Sequence, residues 1–383
     1  MPSPVYFCDL RASLKRTLLD KIGELIRRVE LPRRVGPRGL CAIKLHFGEQ
    51  GNTAYIRPVY LRPFVEAARA AGAQPFLTDC NTLYVGSRSQ AVAHLTTAIQ
   101  NGFAYSVVQA PLVIADGLKG KDATEIPLDL PDCDRAYIGN AILEADSLIC
   151  LTHFKGHELT GFGGTLKNLG MGCGSRQGKL YMHSNVSPSV KAATCIACGQ
   201  CIRRCPAGAI KLVKRTPDQP APAGAERPDL VARKDESRCI GCGDCILACP
   251  TESMQINWNA QVPVLMRRMV GHAWAAVRDK AERCVYFNFL TQISPACDCY
   301  PFQDAPVVAD LGILASSDPV ALDQASADLV NQAPGQVGSC LKHALAPGQD
   351  KFRDLYPKVD WQYQLEFAEQ IGLGSRSYDL VSI

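Results

Sequence analysis

From Gly39 onward, short apolar runs alternate with stretches whose apolar residues recur at helical spacing. The run LCAIKLHF (40–47) contains a β-branched residue and predicts a strand; PVYLRPFVEAARAAGA (58–73) has a helical stripe that ends on Gly72, and QPFLTDC (74–80) predicts the next strand. Strand, helix and strand in that order make a βαβ unit. The theme continues through a helix over RSQAVAHLTTAIQNG (88–102), a strand over PLVIAD (111–116), a helix over GNAILEA (139–145) and a strand over SLICLTHF (147–154). The expected class is therefore α/β, a parallel or mixed sheet with helices on its faces.

After Val190 the pattern is interrupted by a segment dense in Cys, Gly and Pro that runs to about Met254. Within it RTPDQPAPAGAERPD (215–229) reads as a solvated loop, because prolines and small residues cannot build a packed face. Amphipathic pattern then resumes. VPVLMRRMVGHAWAAVRDKAER (262–283) predicts a helix, VYFNFL (285–290) and APVVADLGILA (305–315) predict strands, and SSDPVALDQASADLV (316–330) predicts a helix capped by Asp318 with Pro319 at its first position. The economical division is one α/β domain in two parts, 1–190 and 256–383, interrupted by a small α+β insert over 191–255.

Composition narrows the class of function. The 383 residues are 47% hydrophobic and 20% charged with a formal charge of +4. No Lys/Arg-rich run with interleaved aromatics appears, so no nucleic-acid partner is expected. The first thirty residues lack the succession of a signal peptide, and no apolar run reaches the ~18 residues that span a bilayer. A cytoplasmic location without membrane insertion is expected. Eighteen cysteines in such a chain point to a reducing compartment and metal ligation rather than disulfides.

The strongest motif is CIACGQCIRRCP, with Cys195, Cys198, Cys201, Cys205 and Pro206, repeated as CIGCGDCILACP, with Cys239, Cys242, Cys245, Cys249 and Pro250. Three thiolates at two-residue spacing wrap one face of a cubane if the backbone turns tightly, for which Gly199, Gly241 and Gly243 are suited. The fourth, followed by proline, turns toward the neighbouring cluster. One [4Fe–4S] cluster is thus assigned to Cys195, Cys198, Cys201 and Cys249, and a second to Cys239, Cys242, Cys245 and Cys205. Structural zinc also uses C-x2-C pairs but has no need of the third and fourth spacings. The two half-motifs resemble bacterial ferredoxins with two [4Fe–4S] clusters, and the insert is accordingly expected to be ferredoxin-like.

Ahead of this segment, LTHFKGHELTGFGGTLKNLGMGCGSRQGKLYMHS (151–184) gathers His153, Lys155, His157, Lys167, Asn168, Cys173, Arg176, Lys179 and His183 among many glycines. It follows an apolar strand, and ligands of open α/β sheets bind at strand C-termini. Its glycines suggest a loop whose backbone N–H groups cradle an anion. His46 and Glu49 follow a strand as well, as do Asp79 and Asn81. His46, His153 and His157 are the candidate proton carriers, with Lys167 as a positioning group. His94 and His343 read as structural or exposed, Cys41 and Cys150 as buried apolar residues, and Cys8, Cys133, Cys284 and Cys340 have no partner by spacing.

IKLHFGEQGNTAYIRP, THFKGHELTGFGGTLKNLGMGC, the paired cysteine motifs, CDC and DLGILASSDPVALDQASADLV together resemble the DUF362 family of iron–sulfur proteins over most of the chain. HELTGFGGTLKN is also distantly similar to the His- and Gly-rich region of nickel-dependent lactate racemases. The family resemblance implies a use for Cys297 and Cys299. With Cys173 at the same sheet edge, three thiolates would be available for a third iron–sulfur cluster or another metal, leaving a position for His, water or substrate. The expected function is electron transfer from the two clusters, fed by a soluble redox partner, to a small-molecule substrate on the α/β domain, as in a ferredoxin-linked reductase. A pure electron carrier docking to a partner enzyme, a metal- or cluster-delivery protein and a nonredox isomerase are the alternatives. No G-x-G-x-x-G follows a strand, so NAD(P) is not expected, whereas flavin and a homo-oligomer stay open.

Overall fold

The computed structural model describes residues 2–84, 86–183, 188–205, 207–223, 225, 227–239, 245, 248–251, 253–255 and 258–383. Cys242, Pro206, Gly241 and Gly243 lie outside the described residues. The chain folds around one eight-stranded mixed sheet. Its strands are β1 (Ser3–Asp9), β2 (Leu40–Lys44), β3 (Gln74–Asp79), β4 (Leu112–Ile114), β5 (Ser147–His153), β6 (Cys284–Leu290), β7 (Gly312–Ser316) and β8 (Tyr378–Ser382), in the spatial order β8-β1-β7-β6-β5-β2-β3-β4. β6, β5, β2, β3 and β4 run parallel to one another, whereas β7 is antiparallel to both β6 and β1. Strands from both sides of the cysteine-rich segment share this sheet.

Central strands are legible because both faces are covered. In β5 Leu148 and Cys150 pack into one core, and Ile149 and Leu151 pack into the other. A strand buried on both faces reads as a continuous apolar run rather than an alternating one. The helices of eight residues or more among the described residues are α1 (Leu18–Arg28), α2 (Arg62–Ala70), α3 (Ala91–Gln100), α4 (Thr165–Cys173), α5 (Arg176–His183), α6 (Trp258–Val277), α7 (Pro319–Gln332) and α8 (Gln362–Gln370). Asp318 caps α7 as expected, accepting from the N–H groups of Val320 and Ala321.

Three elements differ from expectation. The strand foreseen over 305–315 is confined to β7, which starts at Gly312; Val307 and Val308 are buried outside it. The helix foreseen from Val262 starts at Trp258 and carries Pro263 in its second turn. The glycine-rich stretch is chiefly two helices, α4 and α5, and not a loop. A Cβ on Gly170 would run into the Met269 carbonyl of α6, so this glycine allows two helices to touch. The α4 N-terminus is also closed to outside anions: the buried Asp323 carboxylate accepts from Thr165 N–H at 2.7 Å and Leu166 N–H at 2.9 Å.

In the cysteine-rich segment, antiparallel strands 210–214 and 230–234 flank the Pro-rich loop, and 189–190 pairs with 254–255. A short helix, Gln200–Arg204, precedes Cys205. No described helix is long and apolar enough to cross a membrane.

Candidate functional site

The C-terminal ends of β2, β3, β5 and β6 open onto a cavity of about 520 Å³. Four parallel strands deliver their following residues to one edge, which is where such sheets bind ligands. β2 supplies Lys44 and leads into His46; β3 supplies Asp79; β5 supplies His153 and leads into a hairpin with Lys155 and His157; α4 supplies Lys167 and Asn168; and the loop after β6 supplies Cys297 and Cys299.

One wall is a buried ionic network. Lys44 is 1% exposed and its Nζ lies 3.0 Å from Asp79 Oδ1 and 2.6 Å from Asn168 Oδ1. Arg88, equally buried, spans Asp79 and Glu49, each at 3.3 Å, and donates to Tyr84 Oη at 2.7 Å. Tyr84 in turn donates to Glu49 at 2.8 Å, and Ser87 donates to the same carboxylate through its N–H and its hydroxyl. Burial opposes the charge on Asp79, yet Lys44 and Arg88 outweigh it and hold the carboxyl well below the usual range. Closed networks of this kind are rigid, because removing one member strands a buried charge.

A second cluster surrounds Asp298, which stands between the two cysteines. Its oxygens lie 2.9 and 3.0 Å from His153 Nδ1, and Lys155 Nζ lies 3.4 Å away. His153 Nε2 meets the carbonyls of Thr291 at 2.9 Å and Gln292 at 3.2 Å. Both ring nitrogens therefore face acceptors, and only a doubly protonated ring donates to both. Burial raises the Asp298 carboxyl, but the charges of His153 and Lys155 overcome it and keep Asp298 ionised. His153 positions Asp298 and has no nitrogen left for a ligand.

Cys297 and Cys299 line the cavity, with Lys167 Nζ 3.7 Å from Cys297 Sγ. A hydrogen bond from the Cys299 thiol, opposed by burial and assisted by Lys167 and Lys155, pulls Cys297 well below the ordinary thiol range. Cys299 is pushed up in exchange. Burial would deprotonate Lys167, but the two cysteines, Glu158 and Asp298 keep its ammonium charged.

His46 and His157 share another arrangement. Gly48 N–H donates to His46 Nδ1 at 3.0 Å, and Leu159 N–H donates to His157 Nδ1 at 3.2 Å. An Nδ1 that accepts carries no proton, so in the neutral His46 ring the proton is on Nε2; His157 Nδ1 meets, besides that N–H, the Thr160 hydroxyl at 3.0 Å. Burial, then the charge of Arg88 for His46 and of Lys167 for His157, lowers both pKa values well below the ordinary one and keeps the rings neutral. His46 Nε2 is buried with no hydrogen-bond partner among the described residues. A donor left in that state costs about 1–3 kcal/mol.

The cysteine-rich segment brings Cys195, Cys198, Cys201 and Cys249 around one small cavity. The turn between them passes through left-handed backbone at Ala197 (φ 55°) and Gly199 (φ 72°). These four residues fit a cluster as donors: all are soft thiols and all face one space. They are not drawn close enough for three of them to hold a single ion, and no three His, Cys, Asp or Glu among the described residues are. Of the second set, Cys245 is buried in the same apolar cluster against which Cys205 and Cys249 pack, and Cys239 is partly exposed. Cys205 also lines the large cavity, together with Arg203 and Arg204.

His46, His153, His157, Lys167, Cys297 and Cys299 thus lie around one space. Cys173 does not join them. It is fully buried at the end of α4, where its carbonyl accepts from Cys80 Sγ at 3.3 Å. Asn81 also turns away, donating to Asp116 at 2.8 Å, and His94 is completely buried beneath Phe47. Sequence reading passed over Lys44, Arg88 and Asp298. Arg88 opens the stretch read as a helix over 88–102, whose helix starts only at Ala91, and Lys44 sits in an apolar run; a lysine there is itself a signal, since buried charge demands a partner.

A family model described as "Domain of unknown function (DUF362)" matches residues 41–328. No curated protein matches the chain. Among solved structures, the lactate racemase apoprotein from Thermoanaerobacterium thermosaccharolyticum aligns with a TM-score of 0.39 at 12% identity, over 86% of this chain and 57% of that one. The chain therefore spans under two thirds of that protein's length, and a likeness at this level supports no functional inference.

Proposed function

The chain belongs to the DUF362 family, and from that premise we propose that it is an iron–sulfur electron-transfer protein acting on a small substrate in the cavity at the strand ends. Support comes from one observation above the rest: Cys205, a ligand in the second cysteine set, lines the same cavity as Cys297, Lys167 and the two histidines. Cys195, Cys198, Cys201 and Cys249 would hold one [4Fe–4S] cluster, and Cys205, Cys239, Cys242 and Cys245 the other. When bound, such clusters supply single electrons, at potentials set by charge, hydrogen bonds and exposure.

The chain's own residues supply the rest. Lys44, Asp79, Arg88 and Glu49 form a wall that does not yield when a ligand enters. Lys167 keeps an ammonium beside the Cys297 sulfur, and the neutral imidazoles of His46 and His157 line the same cavity. A proton carried on a neutral ring inside a cavity is available to a substrate that gains electrons. The cavity favours a reductase over a pure carrier, because a docking surface needs no enclosed space lined by titratable groups. A third cluster at Cys297 and Cys299 would need ligands other than Cys173.

Anaerobic reduction of the purified protein tests this reading. Visible absorbance that bleaches with dithionite and returns with an oxidant is expected, and it should be diminished in Cys198→Ser. A colourless protein after cluster reconstitution would remove the electron-transfer reading.

A further inference from the structure

The proposed function leaves the substrate's chemistry open, and the cavity holds a pair of groups that the two clusters do not use. Cys297 and Cys299 are free thiols that line it, on a turn closed by Tyr300 N–H donating to the Cys297 carbonyl at 3.1 Å. Residues two apart lie ~7 Å from each other in an extended chain and closer in such a turn, and a disulfide spans ~4.4–6.8 Å between Cα atoms. The side chains converge as well, because the Cys299 thiol is hydrogen-bonded to the Cys297 sulfur.

The residue between the two cysteines pins the turn. Asp298 meets His153 Nδ1 at 2.9 Å and Lys155 Nζ at 3.4 Å through its carboxylate, and its carbonyl accepts from Glu49 N–H at 3.1 Å. Opening the turn would therefore disturb a buried ion pair. A metal ion does not suit this place. The Asp298 carboxylate is already occupied, and among the described residues no three His, Cys, Asp or Glu are placed to hold one ion. Two sulfurs held together without a third ligand suit a reaction with each other, and the cavity gives a small molecule access to them.

We propose that Cys297 and Cys299 are the dithiol with which the cavity reduces a small disulfide. One of the two sulfurs attacks a substrate sulfur; the substrate's S–S bond breaks as a mixed disulfide forms, and the first product thiol leaves. The other cysteine sulfur then displaces the second half and closes the Cys297–Cys299 disulfide. The two thiol protons end on the two product thiols, and the substrate gains the two electrons that the pair loses. Return to the dithiol takes two electrons and two protons, from a one-electron donor of the iron–sulfur class acting twice. This names the substrate class of the proposed reductase and rests on that reading only for the return step. The exchange itself needs no iron.

The test equilibrates the full chain, purified and reduced without oxygen, with rising hydroxyethyl disulfide at constant mercaptoethanol, then alkylates it with iodoacetamide and cuts it with chymotrypsin. Cuts after Leu290 and Phe302 release a peptide that holds Cys297 and Cys299 and no other cysteine. That peptide should pass from two alkyl groups to none, with an internal disulfide. Conversion should rise from about one-tenth to nine-tenths over a roughly hundred-fold increase in disulfide, the width of a single two-electron exchange. In urea, which undoes the turn, half-conversion should need about ten-fold more disulfide. Mixed with hydroxyethyl disulfide alone, the reduced parent should release about two more mercaptoethanols per chain than Cys297→Ser/Cys299→Ser. A peptide that keeps both alkyl groups throughout, one that ends with two separate hydroxyethyl adducts, or the same midpoint in urea overturns the proposal. The two readings fail separately: a chain without iron whose pair closes loses only the electron-transfer reading, and an iron-loaded chain whose pair stays open loses only the disulfide substrate.

Discussion

His46, His94, His157 and His272 are held neutral by burial, with the His94 pKa lowered to about 3 and that of His272 to about 4. The sign of the resulting pH dependence comes from linkage. Above pH ~6.5 the rings are neutral in folded and unfolded chains alike, and they contribute no slope. Below it the unfolded chain takes up protons that the folded chain refuses, so stability falls as pH falls, by up to about 1.4 kcal/mol per pH unit for each ring. Asp323, raised to about 6 by burial, and Asp116, also raised by burial, work in the opposite direction above the unfolded value of ~3.9, two groups against four. The apparent unfolding midpoint is therefore expected to drop between pH 7 and pH 5, and to drop less in His272→Gln; a flat profile would show that the rings are not buried neutral. Asp298→Asn should leave His153 and Lys155 without their counter-charge and cost about 3–5 kcal/mol, read by urea denaturation at pH 7. At this scale the sequence showed which residue types cluster after strands, so His46 and His157 were legible. Asp298 was not, because two flanking cysteines drew the reading toward metal ligation while its partner His153 lies 145 residues away.

Elements were legible where a single local rule decides them. The parallel strands β2, β3 and β5 declared themselves by apolar runs, and α7 by Asp318 and Pro319. β1 and β8 at one side of the sheet, the hairpin of strands 123–130 and 133–139, and α4 and α5 did not. Glycine is the reason for the last two. Its low helix propensity argues for loop, and that preference is overridden where helices must approach closely. Two substitutions separate these roles. Gly170→Ala places a Cβ against the Met269 carbonyl in the α4–α6 contact and should cost about 1–3 kcal/mol or more. Gly23→Ala lies inside α1 with ordinary backbone and only the end of Arg27 nearby, at 3.8 Å, and should stabilise by about 0.5–1 kcal/mol. Thermal melts of the two variants beside the parent check both signs. Melts of similar midpoint for the two would mean that the glycines of α4 are not there for packing.

For the whole molecule, the sheet order explains why residues as distant in sequence as Lys44, Lys167 and Cys297 share a cavity. β6 returns to pair with β5 after the cysteine-rich segment, and the loop beyond β6 emerges at the edge reached by β2, β3 and β5. The class of fold was visible in the alternation of strand and helix, but this return was not, since pairing between distant strands leaves no local mark. The central claim is that the cysteine-rich segment holds two clusters beside that cavity. Counting iron and acid-labile sulfide in protein purified and kept without oxygen tests it most directly, in the parent and in Cys297→Ser/Cys299→Ser. About eight of each per chain are expected, with the same count in the double variant. Stoichiometric zinc in place of iron, or an iron count that stays near zero after reconstitution, would contradict it.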